Sequence, residues 1–225
     1  MQIDRKMPEH QAVYAALRDR ILLGHFAPGQ PLTIQGLAEM LGTGMTPVRE
    51  AIRRLTSENA LETLGNRRVI VPVLTQTQID DIYHLRLFIE PELVRRAAKN
   101  ITKQLADDLY EIDRKVNEAI AAGDISGYLG FNKDFHFAIY ALADAPILMR
   151  TVESLWLQVG PSLRVVCGRY GTASLPDMHL DVIKALLENQ PDTAAAAMQE
   201  DLKQGIFLMA QPFAQNFDQK LGTDQ

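Results

Sequence analysis

The chain is nearly without cysteine. Cys167 is the only one in 225 residues, so no intramolecular disulfide can form and a cytoplasmic protein is expected. Cys167 is read as a small buried apolar residue rather than a nucleophile. Long apolar runs are also missing, and the opening MQIDRKMPEHQ lacks the apolar core of a signal peptide. No membrane partner is therefore expected. There is no Ser-His-Asp elbow, no glycine-rich phosphate loop and no dinucleotide fingerprint, which excludes the commonest enzyme signatures. Internal repeats and low-complexity tracts are absent. Strand signals stop after Val73, so most of the chain must be helical.

Positive charge is scarce overall, with a net charge of -5, but it is unevenly placed. Residues 1–75 hold 9 Lys and Arg against 7 Asp and Glu, a balance of +2, and residues 76–225 carry the remaining -7. Only the first part is fit to approach a polyanion, and then through a few placed arginines.

That first part centres on AEMLGTGMTPVREAIRRL, residues 38–55. Leu37, Met40 and Leu41 give one helix an apolar face, and Gly42 and Gly44 bracket a tight turn. Thr46 is placed as the N-cap of a second helix with Pro47 at its first position. Val48, Ala51, Ile52 and Leu55 repeat at helical spacing, leaving Arg49, Arg53 and Arg54 for other faces. An earlier helix spans about Pro8 to Gly24, HFAPGQPLTI reads as a turn, and Thr33 is a candidate cap. Leu61 and Thr63, then Val69, Val71 and Val73, predict a two-stranded hairpin with Gly65-Asn66 at its turn. The arrangement is a helix-turn-helix with a wing, whose second helix would enter the major groove of double-stranded DNA.

Order and motif together resemble the winged helix-turn-helix of the GntR family of bacterial transcription regulators. The resemblance implies DNA contacts from Gln35, Thr43, Thr46, Arg49, Arg53, Asn66, Arg67 and Arg68. Arg49 matches the family's DNA-contacting arginine and Thr46 a phosphate-contacting position. Two departures stand out. Gly44 and Met45 replace a Ser/Thr-Arg pair, removing one expected contact, and the wing lacks the usual Arg-Gly closure.

After Thr75 the apolar spacing predicts only helices. Ile79, Ile82, Leu85, Ile89 and Leu93 mark the first, which Pro91 should kink or divide. Leu105, Leu109, Ile112, Val116 and Ile120 mark the second, ended by Gly123. The third opens at Asp124. The fourth opens at Pro146 and is expected to break at Gly160-Pro161. Ser174 and Pro176 open a fifth and Pro191 the last. Tyr83, Tyr140 and Trp156 are read as core. The expected fold is mostly α: residues 1–75 as the winged helix-turn-helix, and residues 76–225 as an antiparallel helical bundle for ligand sensing and dimerisation. FNKDFHFAIY, MHLDVIKALLENQPDTAAAAM and LRLFIEPELVRRAA resemble the FCD domain of the FadR subfamily in its six-helix form.

Asn132 and His136 stand four apart on one face of the third helix, with His179 on the fifth and Asp201 on the sixth. The FCD resemblance implies a divalent-metal site at these four positions, where Asp, His, His and His are usual. Here the first position has lost its carboxylate and the fourth has gained one. The donor set suits zinc first, with nickel, manganese or iron as alternatives. Open coordination positions would attract a small-molecule effector bearing a carboxylate, with Arg86 and Arg164 as a charge clamp. The overall expectation is a ligand-responsive regulator, a homodimer on a two-fold operator, and not an enzyme. The alternative is a metal-dependent hydrolase or lyase with an appended recognition module, which would need a general base beside an activated water.

Overall fold

The computed structural model of the chain describes residues 8–65, 68–170 and 178–210, without the side chains at 169–170 and 206–210. The chain divides into two compact units. The first is Met1–Leu74 with Trp156–Ser162, and the second is Thr75–Leu155 with Leu163–Gln225.

In the first unit, α1 (Glu9–Leu22) buries Val13, Leu17, Ile21 and Leu22 as one stripe. α2 (Ile34–Leu41) starts where the Thr33 hydroxyl accepts the Gly36 N–H at 3.0 Å, as expected. It ends at Gly42, whose φ of 63° is left-handed and suits glycine. The buried face of α2 is Leu37 and Ala38, while Met40 is 42% exposed. α3 (Met45–Ser57) packs on α1 and α2 through Val48, Ala51, Ile52 and Leu55. It begins two residues earlier than the sequence suggests. Gly44 is the N-cap, so Thr46 lies within the first turn and caps nothing. Pro47 is tolerated there because first-turn N–H groups have no intrahelical partner.

The wing is a three-stranded antiparallel sheet rather than a hairpin. Its strands are β1 (Pro31–Leu32), β2 (Glu62–Thr63) and β3 (Val69–Ile70), in the order β1-β3-β2. Ile70 pairs with Pro31 on one side and Glu62 on the other. Part of the expected turn HFAPGQPLTI is therefore strand, and Pro31 is accommodated because β1 is an edge. Val71 lies past the end of β3. It is fully buried, and its N–H donates to the Gln30 carbonyl at 3.1 Å.

The second unit is built from α4 (Gln76–Ala97), α5 (Lys103–Ala122), α6 (Ile125–Tyr140), α7 (Pro146–Tyr170), α8 (His179–Leu187) and α9 (Pro191–Ala210). Short 3-10 turns follow α4 and α6, and among the described residues no strand follows Ile70. α4 packs on α9, α5 on α6 and α8, and α8 on α9. The caps are local: a Thr75–Gln78 capping box opens α4, Thr102 opens α5, and Asp124 accepts the Gly127 N–H at 3.0 Å to open α6.

Two expected breaks do not occur. α4 runs unbroken through Pro91, and α7 through Gly160-Pro161. Both prolines are buried. A mid-helix proline costs about 3 kcal/mol, and on α4 the burial of Ile89, Leu93, Val94 and Ala97 on either side outweighs that. Gly160 has a packing reason: within the first unit, a Cβ there would collide with the Leu22 carbonyl. The expected start of the fifth helix at Ser174 and Pro176 lies outside the described residues, and α8 is described from His179.

Candidate DNA-reading face and metal centre

α3 presents its apolar stripe inward and leaves Thr46, Arg49, Arg53 and Arg54 exposed. The arginines are not equivalent. Arg54 lies 3.6 Å from the Tyr14 ring centroid and donates to Glu58 at 3.0 Å. The Tyr14 hydroxyl, in turn, is 2.8 Å from Glu58 Oε2. Arg54 is thus a clamp between α3 and α1, and Arg49 and Arg53 remain on the outer face. Burial and the Glu58 carboxylate push the Tyr14 phenol up to about 12. Gln35 is exposed on α2 and donates to Glu39 at 3.0 Å. The Thr43 hydroxyl donates to Glu9 at 2.5 Å. Arg68 is exposed just before β3. Asn66 and Arg67, expected at the wing tip, lie outside the described residues.

Inside the second unit, α6, α8 and α9 bring His136, His179 and Asp201 together, with ligand atoms all within 4.8 Å of one another. His136 Nε2 is 3.2 Å from Asp201 Oδ2, and His179 Nε2 is 3.8 Å from Asp201 Oδ1. Donors around an ion at about 2.1 Å stand roughly 3–4 Å apart, so these separations and this mixed nitrogen and oxygen set fit a divalent cation. Asn132, half-buried, is one turn before His136 on α6. Burial pushes the Asp201 carboxyl up, but the neighbouring imidazoles of His136 and His179 and the Arg86 guanidinium outweigh it and hold it below the usual carboxylate range.

The partners behind these residues were not legible as such in the sequence. His179 Nδ1 is 2.9 Å from Asp113 Oδ1 on α5, and both residues are buried. His136 Nδ1 is 2.8 Å from the Tyr140 hydroxyl, which donates to Glu90 at 2.5 Å. Glu90 is fully buried and also accepts from Arg86 at 2.5 Å. Phe135 is stacked on His179, with centroids 3.8 Å apart. Burial and then Glu90 hold the Tyr140 phenol far above its ordinary range, so it is a neutral donor. Arg86 is therefore engaged by Glu90, and Arg164 donates to Ser126 at 2.7 Å.

Residues 81–204 match the FCD domain family, and residues 9–71 match the family described as bacterial regulatory proteins, gntR family. The HTH-type transcriptional regulator McbR of Escherichia coli is 31% identical over 201 residues, covering 88% of this chain and 90% of McbR. The chain belongs to the GntR family. The Nta operon transcriptional regulator of Aminobacter aminovorans is 32% identical over 180 residues, covering 76% of this chain and 80% of its own length. The solved structure of E. coli McbR/YncC superposes with a TM-score of 0.83 at 30% identity, covering 89% of this chain and 96% of the other. This GntR regulator has an N-terminal winged helix-turn-helix and a helical FCD domain. It is a ligand-responsive, DNA-binding transcription regulator.

Proposed function

We propose that this regulator senses a small organic acid at a divalent metal held in its FCD domain, and that it reads a two-fold operator as a homodimer in the cytoplasm. The observation carrying the metal reading is the convergence of His136, His179 and Asp201 inside the bundle, each histidine anchored through Nδ1 so that Nε2 turns towards Asp201. Asn132 is assigned as the fourth ligand, and zinc is the first choice for two nitrogens and two oxygens. Such an ion supplies a Lewis-acidic anchor for a carboxylate. Arg86 adds positive charge that already reaches Asp201, and Arg164 is assigned a supporting role. The acid is released unchanged, since the relatives named above are regulators and the site acts by binding.

On the DNA side, Arg49 and Arg53 are assigned to the major groove and to phosphate, and Gln35, Thr43, Thr46, Asn66, Arg67 and Arg68 are assigned further DNA contacts. One reading head buries too little surface for specific binding, and a two-fold pair solves this. Phe88 is 78% exposed on α4, with Leu85 44% and Ile147 69% exposed. Beside Phe88, Arg95, Arg96, Glu92 and Asp192 form ion pairs of mixed sign, the self-complementary rim a two-fold contact needs.

Elemental analysis of the unchelated protein beside His136→Ala tests the metal reading. The expected result is near one divalent metal per chain, lost in the variant. No metal in either protein would show that the exchange of Asp for Asn132 and of His for Asp201 had abolished the site.

A further inference from the structure

The polarity of the hydrogen bonds behind His136 is set from α4. Glu90 is fully buried and ion-paired with Arg86 at 2.5 Å, and as a carboxylate it can only accept. Tyr140 has one hydroxyl proton, and it goes to Glu90 Oε2 at 2.5 Å. The phenol oxygen is left to accept from the ring 2.8 Å away, so His136 Nδ1 must carry a proton. In the neutral imidazole the lone pair is then on Nε2, which faces Asp201 Oδ2 at 3.2 Å. A lone pair opposite a carboxylate is a pair of acceptors, an arrangement a cation satisfies.

We propose that Glu90, acting through Tyr140, is the positioning residue that fixes His136 as an Nε2 metal donor. Asp113 reaches the same end in one step on α8, by accepting from His179 Nδ1. For His136 the signal passes through a hydroxyl, and a hydroxyl relays whichever polarity it receives. Glutamine at position 90 keeps the shape of glutamate but carries an amide donor. With its carbonyl on Arg86, its amide N–H faces the Tyr140 oxygen. Tyr140 then turns its proton to Nδ1, and the ring proton moves to Nε2, where a metal would need the lone pair. Tyr140→Phe removes the relay without reversing it.

The purpose of this device rests on the metal reading above, but the tautomer is a property of the metal-free chain and is measured there. The full-length, nitrogen-15-labelled, metal-stripped protein is examined at pH 8 by proton–nitrogen correlation of its imidazoles. Zinc affinity is measured separately by competition with a chromogenic chelator. The wild type is expected to carry the His136 proton on Nδ1 and Glu90→Gln to carry it on Nε2, with zinc binding weakened about 10–100-fold, as for other outer partners of metal-bound histidines. A wild-type proton on Nε2, or a Glu90→Gln variant with wild-type tautomer and zinc affinity, overturns the proposal. A wild type that shows Nδ1–H but binds no zinc supports the positioning role and sinks the metal reading instead. Should Glu90→Gln fail to fold by circular dichroism, Tyr140→Phe decides. Mixed tautomers with a smaller loss of zinc affinity support the relay, and a single wild-type tautomer with unchanged affinity overturns it.

Discussion

Replacing Arg49 with alanine removes a guanidinium from the outer face of α3, where it is exposed and outside the buried stripe. The fold should be indifferent, because alanine is the better helix former at an exposed position. The DNA complex should not be. Each phosphate neutralised contributes about 0.9 to the slope of log affinity against log salt. A two-fold complex contains two copies of Arg49, so the variant's slope should be shallower by about 1.8, and at 0.15 M salt its affinity about 30-fold weaker. Fluorescence anisotropy over a salt series gives both numbers, using a duplex selected from a random pool by the wild-type protein. An unchanged slope would mean that Arg49 touches no phosphate, and the assignment of α3 as the reading helix would lose its main support. Arg54→Ala is the internal control. Its guanidinium is held by Tyr14 and Glu58, so its loss should lower the melting temperature and leave the slope alone.

Two further outcomes follow from the same structure. Phe88→Arg should break the dimer: burying two phenyl groups is worth about 3–6 kcal/mol, so sedimentation should show association weakened by roughly two to four orders of magnitude, and an unaltered dimer would place the interface elsewhere. Stability should fall as pH rises from 10.0 towards about 12, because burial raises the Tyr14 and Tyr83 phenols to about 12 in the folded chain. The unfolded chain sheds those protons first, so the contribution is complete below pH 10 and lost through the folded values. Urea midpoints across that range check this, and a flat profile would contradict it.

Much of the fold was legible because the chain punctuates itself. Thr33, Thr102, Gly123 and Asp124 each cap the helix end at which they stand, since a side-chain oxygen or a left-handed glycine acts within three residues. Short-range logic failed where tertiary burial decided. Pro91 and Pro161 lie inside unbroken helices, and the two-residue strand β1 is too short to show any periodicity.

The candidate site divides along the same line. His136, His179 and Asp201 were found through a motif and converge in the bundle. Asp113 is hidden in the sequence because the apparent apolar stripe of α5 runs through Leu105, Ile112 and Ile120, which are only half-buried. The buried face is Ala106, Leu109, Asp113, Val116 and Ala119. An aspartate in step with Ala106, Leu109 and Val116 was the available signal. The four-residue spacing of Arg86 and Glu90 is visible in the chain, but Tyr140, which links Glu90 to His136, sits 50 residues away from Glu90 in sequence. No spacing rule connects them.

If the bundle site governs DNA binding, its occupancy must change DNA affinity, and one titration tests this. The selected duplex is titrated at fixed salt with metal-stripped protein, with protein given one equivalent of zinc, and with zinc plus acetate or succinate as one- and two-carboxylate probes. His136→Ala is carried in parallel. Wild-type affinity is expected to shift by about 5–150-fold between stripped and occupied states, the usual range of coupling between two sites, and the variant is expected not to respond. Equal affinity of the wild type in every state would contradict it.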